Sequence, residues 1–153
     1  FNTLISAHYA IKDVALKGTN FKPMSHTIGF GMIFDAFIDT DLPIISAQVD
    51  RSILLLNPLN PTTRGIHFQL KANDASSNLK EWYLVICTIN TDFTAKEAVK
   101  SFSGRGIPPK TIQWEGRGDD NERLPKGYYT YRFIVTDTAE NVNSSQWQML
   151  EIQ

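Results

Sequence analysis

Strict two-residue alternation over Tyr128–Thr136 constrains the fold of this chain more than any other feature. Tyr129, Tyr131, Phe133 and Val135 fall on one face of an extended strand, and Tyr128, Thr130, Arg132, Ile134 and Thr136 fall on the other. A face made only of aromatic and branched apolar side chains has to look into a core. The stretch before it, from Trp114, is rich in turn formers: Gly116, Gly118, Asp119, Asp120, Asn121, Pro125 and Gly127. Glycine and asparagine tolerate positive φ, and Pro125 fixes its own φ just before the chain re-enters a sheet. Strand, tight polar loop and long strand together predict an antiparallel β-module.

The same rhythm recurs upstream. Ile44–Val49 and Ser52–Leu56 read as two short strands, followed by the punctuation of Asn57–Pro61. In Gly65–Leu70, Ile66, Phe68 and Leu70 oppose His67 and Gln69. A polar turn, Asn73–Asn78, leads into Leu79–Ile89, where Tyr83, Val85, Cys87 and Ile89 share one face and Trp82, Leu84 and Ile86 the other. Apolar residues on both faces predict a central strand. Ala95–Phe102 reads as a helical turn or an irregular crossover, with helix preferred on propensity. Thr111–Trp114 and Gln146–Ile152 complete about seven strands separated by Gly, Pro, Asn and Asp turns. That pattern predicts an all-β sandwich.

Residues 1–41 have a different texture. Ile5, Ala7, Tyr9 and Ile11 alternate with Ser6, His8, Ala10 and Lys12. A second run, Thr27–Asp39, puts Ile28, Phe30, Met32, Phe34, Ala36 and Ile38 opposite Gly29, Gly31, Ile33, Asp35 and Phe37. A continuous apolar face of about ten residues, backed by glycines and a carboxylate, suits a lipid-facing barrel strand. It equally suits a long hairpin packed on the sandwich. Ile28, Phe30, Met32, Phe34 and Ile38 are therefore the candidate membrane- or partner-facing strand. The polar Asp39–Pro43 stretch marks a junction, giving a hairpin over 1–41 and a sandwich over 42–153.

Charge and composition exclude several functions. Fifteen basic and 16 acidic residues in 153 give a net charge of −1, without the basic stripe that nucleic acid requires. Cys87 is the single cysteine, so neither an intrachain disulfide nor a cysteine zinc cluster can form. The stretch shows neither a charged-then-apolar signal-peptide pattern nor an apolar run of transmembrane-helix length. The chain opens on Phe1, and we expect it to be an excised or mature part of something larger.

Two resemblances follow from these residues. The run Trp114-Glu115-Gly116, Asp119-Asp120-Asn121, Leu124-Pro125-Lys126-Gly127-Tyr128-Tyr129 and Asp137-Thr138-Ala139-Glu140-Asn141 resembles bacterial immunoglobulin-like or fibronectin-like modules. Such modules occur in flagellar hook-capping proteins, beside surface proteases, and at the ends of secreted envelope proteins. The family pattern has Gly where Asn121 or Glu122 stands, and again where Glu140 stands. The first change is mild because Asn adopts the left-handed conformation, while the second bears on the final hairpin. The alternating face of residues 27–39 resembles the closing strands of bacterial outer-membrane barrels. These resemblances imply an immunoglobulin-like or fibronectin III-like antiparallel β-sandwich with an N-terminal β-hairpin, at an extracytoplasmic site: outer membrane, periplasm or cell surface.

Each candidate site has a structural alternative. Arg117-Gly118-Asp119 spells a cell-adhesion tripeptide on an expected loop, yet the same residues satisfy turn chemistry. Asp119, Asp120, Asn121 and Glu122 offer oxygens to calcium, but their spacing is not that of an EF-hand loop, and a solvated turn is favoured. Cys87 with His67 as base would make a nucleophile, whereas a mid-strand position fits a buried small hydrophobe better. His8 and His26 lack zinc-ligand spacing. Trp82, Trp114 and Trp147 would make a sugar platform if exposed, but Trp114 beside Tyr129 suits the core.

The reading that results is a non-catalytic interaction or scaffold module of a larger envelope assembly, with no cofactor and no metal. Its partners would be envelope proteins, with outer-membrane contact through residues 1–40 and no nucleic acid. The alternatives are an accessory domain of a secreted enzyme or hook-capping-like protein, and an adhesin using Arg117, Gly118 and Asp119.

Overall fold

The computed structural model describes the backbone of residues 24–28 and 32–36 and, with side chains, residues 39–55 and 65–153. The described residues are all-β, with no helix. In chain order the strands are β1 (Met24–Ile28), β2 (Met32–Ala36), β3 (Ile44–Val49), β4 (Ile53–Leu54), β5 (Ile66–Asn73) and β6 (Leu79–Ile89). They continue with β7 (Ala95–Arg105), β8 (Thr111–Trp114), β9 (Gly127–Asp137), β10 (Val142–Ser144) and β11 (Gln148–Ile152).

Two sheets pack into a sandwich. One runs β4-β11-β9-β6-β7, with β10 beside the far half of β9; the other runs β3-β5-β8. Strand β9 is central because it is bordered along most of its length, by β6 on one side and by β11 then β10 on the other. Its inward residues Tyr129, Tyr131, Phe133 and Val135 are buried, as the alternation predicts. They meet Phe68 on β5 and Trp114 on β8 from the opposite sheet. Phe68 and Tyr131 pack edge-on with centroids 5.0 Å apart, and Trp114 and Tyr129 do so at 6.3 Å. Leu84, Ile86, Leu54, Leu150 and Ile152 complete the same buried cluster.

Buried polar atoms in this core find partners. The Tyr129 hydroxyl donates to the Pro125 carbonyl at 2.7 Å, and the Trp114 indole N–H donates to the Arg117 carbonyl at 2.9 Å. The Tyr131 hydroxyl donates to Gln148 Oε1, and burial pushes its pKa up to about 12. Each bond spares an aromatic residue the cost of a buried, unsatisfied hydroxyl or N–H.

Four departures from the sequence reading have local causes. Residues 95–105 form strand β7, not a helical turn or crossover. Ala, Lys and Glu favour helix in isolation, but β6 needs a partner along its open side, and Val99 and Phe102 pack against the core. Trp82 lies opposite Gly104 in that pairing, and a Cβ on Gly104 would sit 2.7 Å from the indole. The run Thr27–Asp39 is not one strand. Ile28 lies on β1, Met32 and Phe34 lie on β2, and the two strands pair antiparallel with Ile28 opposite Met32, so the chain reverses within the run. Phe30 and Ile38 lie outside the described residues, as do the run from Ile5 to Ile11 and the end of the expected second strand at Leu56. The β4–β11 pairing is parallel, because the chain crosses from one sheet to the other after β3. Finally, β10 is an additional short strand antiparallel to β9.

Removing the phenyl ring of a fully buried β9 residue should leave a cavity. Phe133→Ala is expected to lower unfolding free energy by about 3–5 kcal/mol in urea titrations. Ile107→Ala, at an 81% exposed position, should shift it by no more than about 0.5 kcal/mol.

Candidate functional site

The Arg117-Gly118-Asp119 turn is folded against an edge strand. In the β6–β7 pairing Ile86 lies opposite Lys100 and Cys87 opposite Ala98, so Val99 is a bulge residue left without a partner. The Asp119 N–H donates to the Val99 carbonyl at 3.0 Å. The Ser101 N–H donates to Asp119 Oδ1 at 3.2 Å, and Lys100 Nζ lies 3.2 Å from the same oxygen. Gly118 is buried, its N–H donating to the Glu122 carbonyl, and a Cβ there would meet Asp120 Oδ1 at 2.7 Å. Arg117 Nη1 donates to the Asn121 carbonyl at 2.8 Å. The tripeptide therefore caps the outer edge of β7, a common way to block unwanted strand pairing.

The next residues of the turn close on themselves. Asp120 Oδ1 accepts the Glu122 N–H at 3.0 Å, and Asn121 adopts φ 65°, the left-handed conformation expected of it. Glu140 does likewise, at φ 69°, so it occupies the conformation for which the family pattern has Gly.

The other expected pairings are separated by the fold. Cys87 lies on β6 and His67 on β5, in different sheets. Burial pushes the Cys87 thiol up, which keeps it protonated. His67 pairs instead with Asp50: its Nδ1 lies 3.1 Å from Asp50 Oδ2, and its backbone N–H donates to Asp50 Oδ1 at 2.9 Å. Trp82 and Trp114 are buried, whereas Trp147 is half-exposed with the Arg132 guanidinium 5.6 Å from its ring centre. The three therefore form no common platform. His26 lies on β1, and His8 is outside the described residues.

Sequence reasoning did not find the acidic group that the fold does assemble. Asp39 before β3, Asp74 in the β5–β6 turn and Asp137 at the end of β9 meet at one end of the sandwich. A carboxylate oxygen from each lies within 4.8 Å of the others. At such a spacing two carboxylates repel by about 3–4 kcal/mol at an effective dielectric constant of about 20. Each aspartate reads in sequence as an ordinary turn residue, and their separations of 35 and 63 positions conceal the meeting.

The strand arrangement and this end cluster define a β-sandwich module. No family model matches the chain, and no curated protein matches it. Among solved structures it is similar to the dimeric latent form of PorU from Porphyromonas gingivalis. The TM-score is 0.52 at 17% identity, and the match covers 79% of this chain but 10% of that one. The likeness is one of fold, to a small part of a much longer chain.

The Asp50 carboxyl provides a pH test. Burial raises its pKa, but the His67 backbone and ring and the Arg51 guanidinium outweigh that and lower it from 3.8 to about 2. A carboxyl depressed in the folded state stabilises above its unfolded pKa and loses that contribution as pH falls through the folded value. Carboxyl-carbon NMR should give Asp50 a midpoint near 2, with the associated stability lost between about pH 4 and 2. His67→Ala should return the midpoint toward the ordinary carboxylate range.

Proposed function

We propose that this chain is a non-catalytic interaction or scaffold module of a bacterial envelope assembly, acting outside the cytoplasm. The observation that carries this reading is the outer face of the β4-β11-β9-β6 sheet. By register, Ile53, Tyr128, Met149 and Tyr83 all point away from the core, and Trp147 adjoins them. These five large apolar side chains are between 39% and 54% exposed. Isolated exposed apolar residues are ordinary, but several aromatics and a methionine on one sheet face, with Arg132 among them, have the composition of a protein-contact surface.

The immunoglobulin-like or fibronectin III-like type is part of the proposal. Two features support it: a five-strand path facing a three-stranded sheet, and the Tyr129 hydroxyl bonded to the carbonyl of Pro125 four residues upstream. That bond has the form of the tyrosine corner of such sandwiches. The likeness to part of PorU supports a module carried within a longer protein. Residues 1–41 are the portion proposed to meet an outer membrane or a protein partner.

A photo-reactive residue at position 149 should capture a discrete protein from envelope fractions of the source cells, whereas one at Gln113, on the opposite sheet, should not. Equal capture from both positions, or none from 149, would remove the assigned surface. In the same preparations residues 1–153 should partition with detergent and 42–153 should not; a detergent-free 1–153 monomer would return the hairpin to the sandwich.

A further inference from the structure

We propose that Asp39, Asp74 and Asp137 form a calcium site that fastens the junction before β3 to the end of the sandwich. The inference is independent of the interaction surface described above, since it rests on different residues and a different ligand.

Asp137 is fully buried, Asp39 is 8% exposed and Asp74 is half-buried. Hydrogen bonds hold one oxygen of each carboxylate in place. Asp39 Oδ1 accepts the Asp41 N–H at 2.9 Å, and Asp74 Oδ1 accepts the Ser76 and Ser77 N–H groups at 2.9 and 2.7 Å. Asp137 Oδ1 accepts the Ala139 and Asn141 N–H groups, both at 2.8 Å. Asn141 Nδ2 then donates to Asp137 Oδ2 at 2.9 Å and to the Asp39 carbonyl at 3.2 Å. The carboxylates are thus oriented by backbone donors and cannot readily turn away from one another.

What remains is the second oxygen of two of them. Asp39 Oδ2 and Asp74 Oδ2 are buried and accept no hydrogen bond from the described residues. None of the described ion pairs brings a Lys, Arg or His to this group. A buried carboxylate oxygen without a donor is costly, and the mutual repulsion of three clustered carboxylates adds to that cost. A shared cation removes both costs.

The donor set selects the ion. All the ligands are hard oxygens, which excludes the softer metals that prefer thiolate or imidazole. Mg²⁺ keeps several waters and commonly takes one or two carboxylates, whereas Ca²⁺ accepts three, in mono- or bidentate modes, with carbonyls and water completing six to eight ligands. Bound there, the ion would join three chain segments: the residues entering β3, the β5–β6 turn and the β9–β10 turn. The Ser76 hydroxyl already reaches the junction, donating to Asp41 Oδ2 at 2.7 Å. Calcium would therefore order the segment that connects residues 1–38 to the sandwich.

The test is calorimetric titration of chelator-treated 1–153 with CaCl₂ and, separately, MgCl₂, alongside thermal melts. The expected result is one site per chain with Kd of about 10⁻⁴ M or tighter, binding to Mg²⁺ about tenfold weaker or more, and a melting temperature that rises with Ca²⁺. Asp74→Asn and Asp39→Asn should each weaken binding by about tenfold or more. Asp120→Asn, in the turn that caps β7, should leave it unchanged. Asp74 is the less buried of the two, so its variant keeps the test valid if Asp39→Asn fails to fold. No saturable heat up to about 10 mM Ca²⁺ would overturn the site. So would unaltered affinity in folded Asp74→Asn, or a tighter response to Mg²⁺.

Discussion

Edge-to-face packing of Phe68 on Tyr131 and of Trp114 on Tyr129 is the contact on which both sheets depend. One partner of each pair comes from β9 and the other from the three-stranded sheet, so these rings span the sandwich. Such pairs add about 0.5–1.5 kcal/mol each beyond the area they bury. Their larger effect is geometric. Once Tyr129 and Tyr131 point inward, alternation places Tyr128 and Arg132 on the opposite face. The arrangement that builds the core therefore also builds the surface proposed to meet a partner. A one-residue slip of β9 would exchange the two.

Turn chemistry fixes that register from both ends of β9. Before the strand, the turn from Gly116 to Leu124 is tied to β7 through Asp119, and the Tyr129 hydroxyl holds Pro125. After it, the buried Asp137 carboxylate collects the backbone of the β9–β10 turn. Glu140 sits in the left-handed region there, at a cost of about 1–2 kcal/mol for a residue with a Cβ. Its own N–H bond to the Asp137 carbonyl and its ion pair with Lys80 help hold it. These turns are used structurally, and the adhesion-like tripeptide is one of them.

Much of the sandwich was legible from period alone. Ile44–Val49, Leu79–Ile89 and Thr111–Trp114 coincide with strands β3, β6 and β8, because alternation and flanking breakers agree at those places. Ala95–Phe102 reads as a helical turn because Ala95, Lys96, Glu97 and Ala98 express a helical propensity, which pairing with β6 overrides. The run Thr27–Asp39 reads as one strand, yet the chain reverses within it. The aspartate cluster was invisible for another reason. Its members lie on three connections far apart in sequence, and only the sandwich topology brings them together. Asp137 carried a hint, as the first residue of the Asp-x-x-x-Asn segment, but nothing in the sequence pointed from it to Asp39 or Asp74.

The central claim is that the inward face of β9 makes the two sheets one cooperative unit. Native-state hydrogen exchange of the backbone amides of Tyr131, Leu84 and Phe68, followed through low denaturant, tests it most directly. The account predicts that amides on β9, β6 and β5 converge on a single opening free energy, the largest in the sandwich. Exchange of Phe68 and its β5 neighbours at a distinctly lower free energy would contradict it, because the three-stranded sheet would then open while β9 stayed folded.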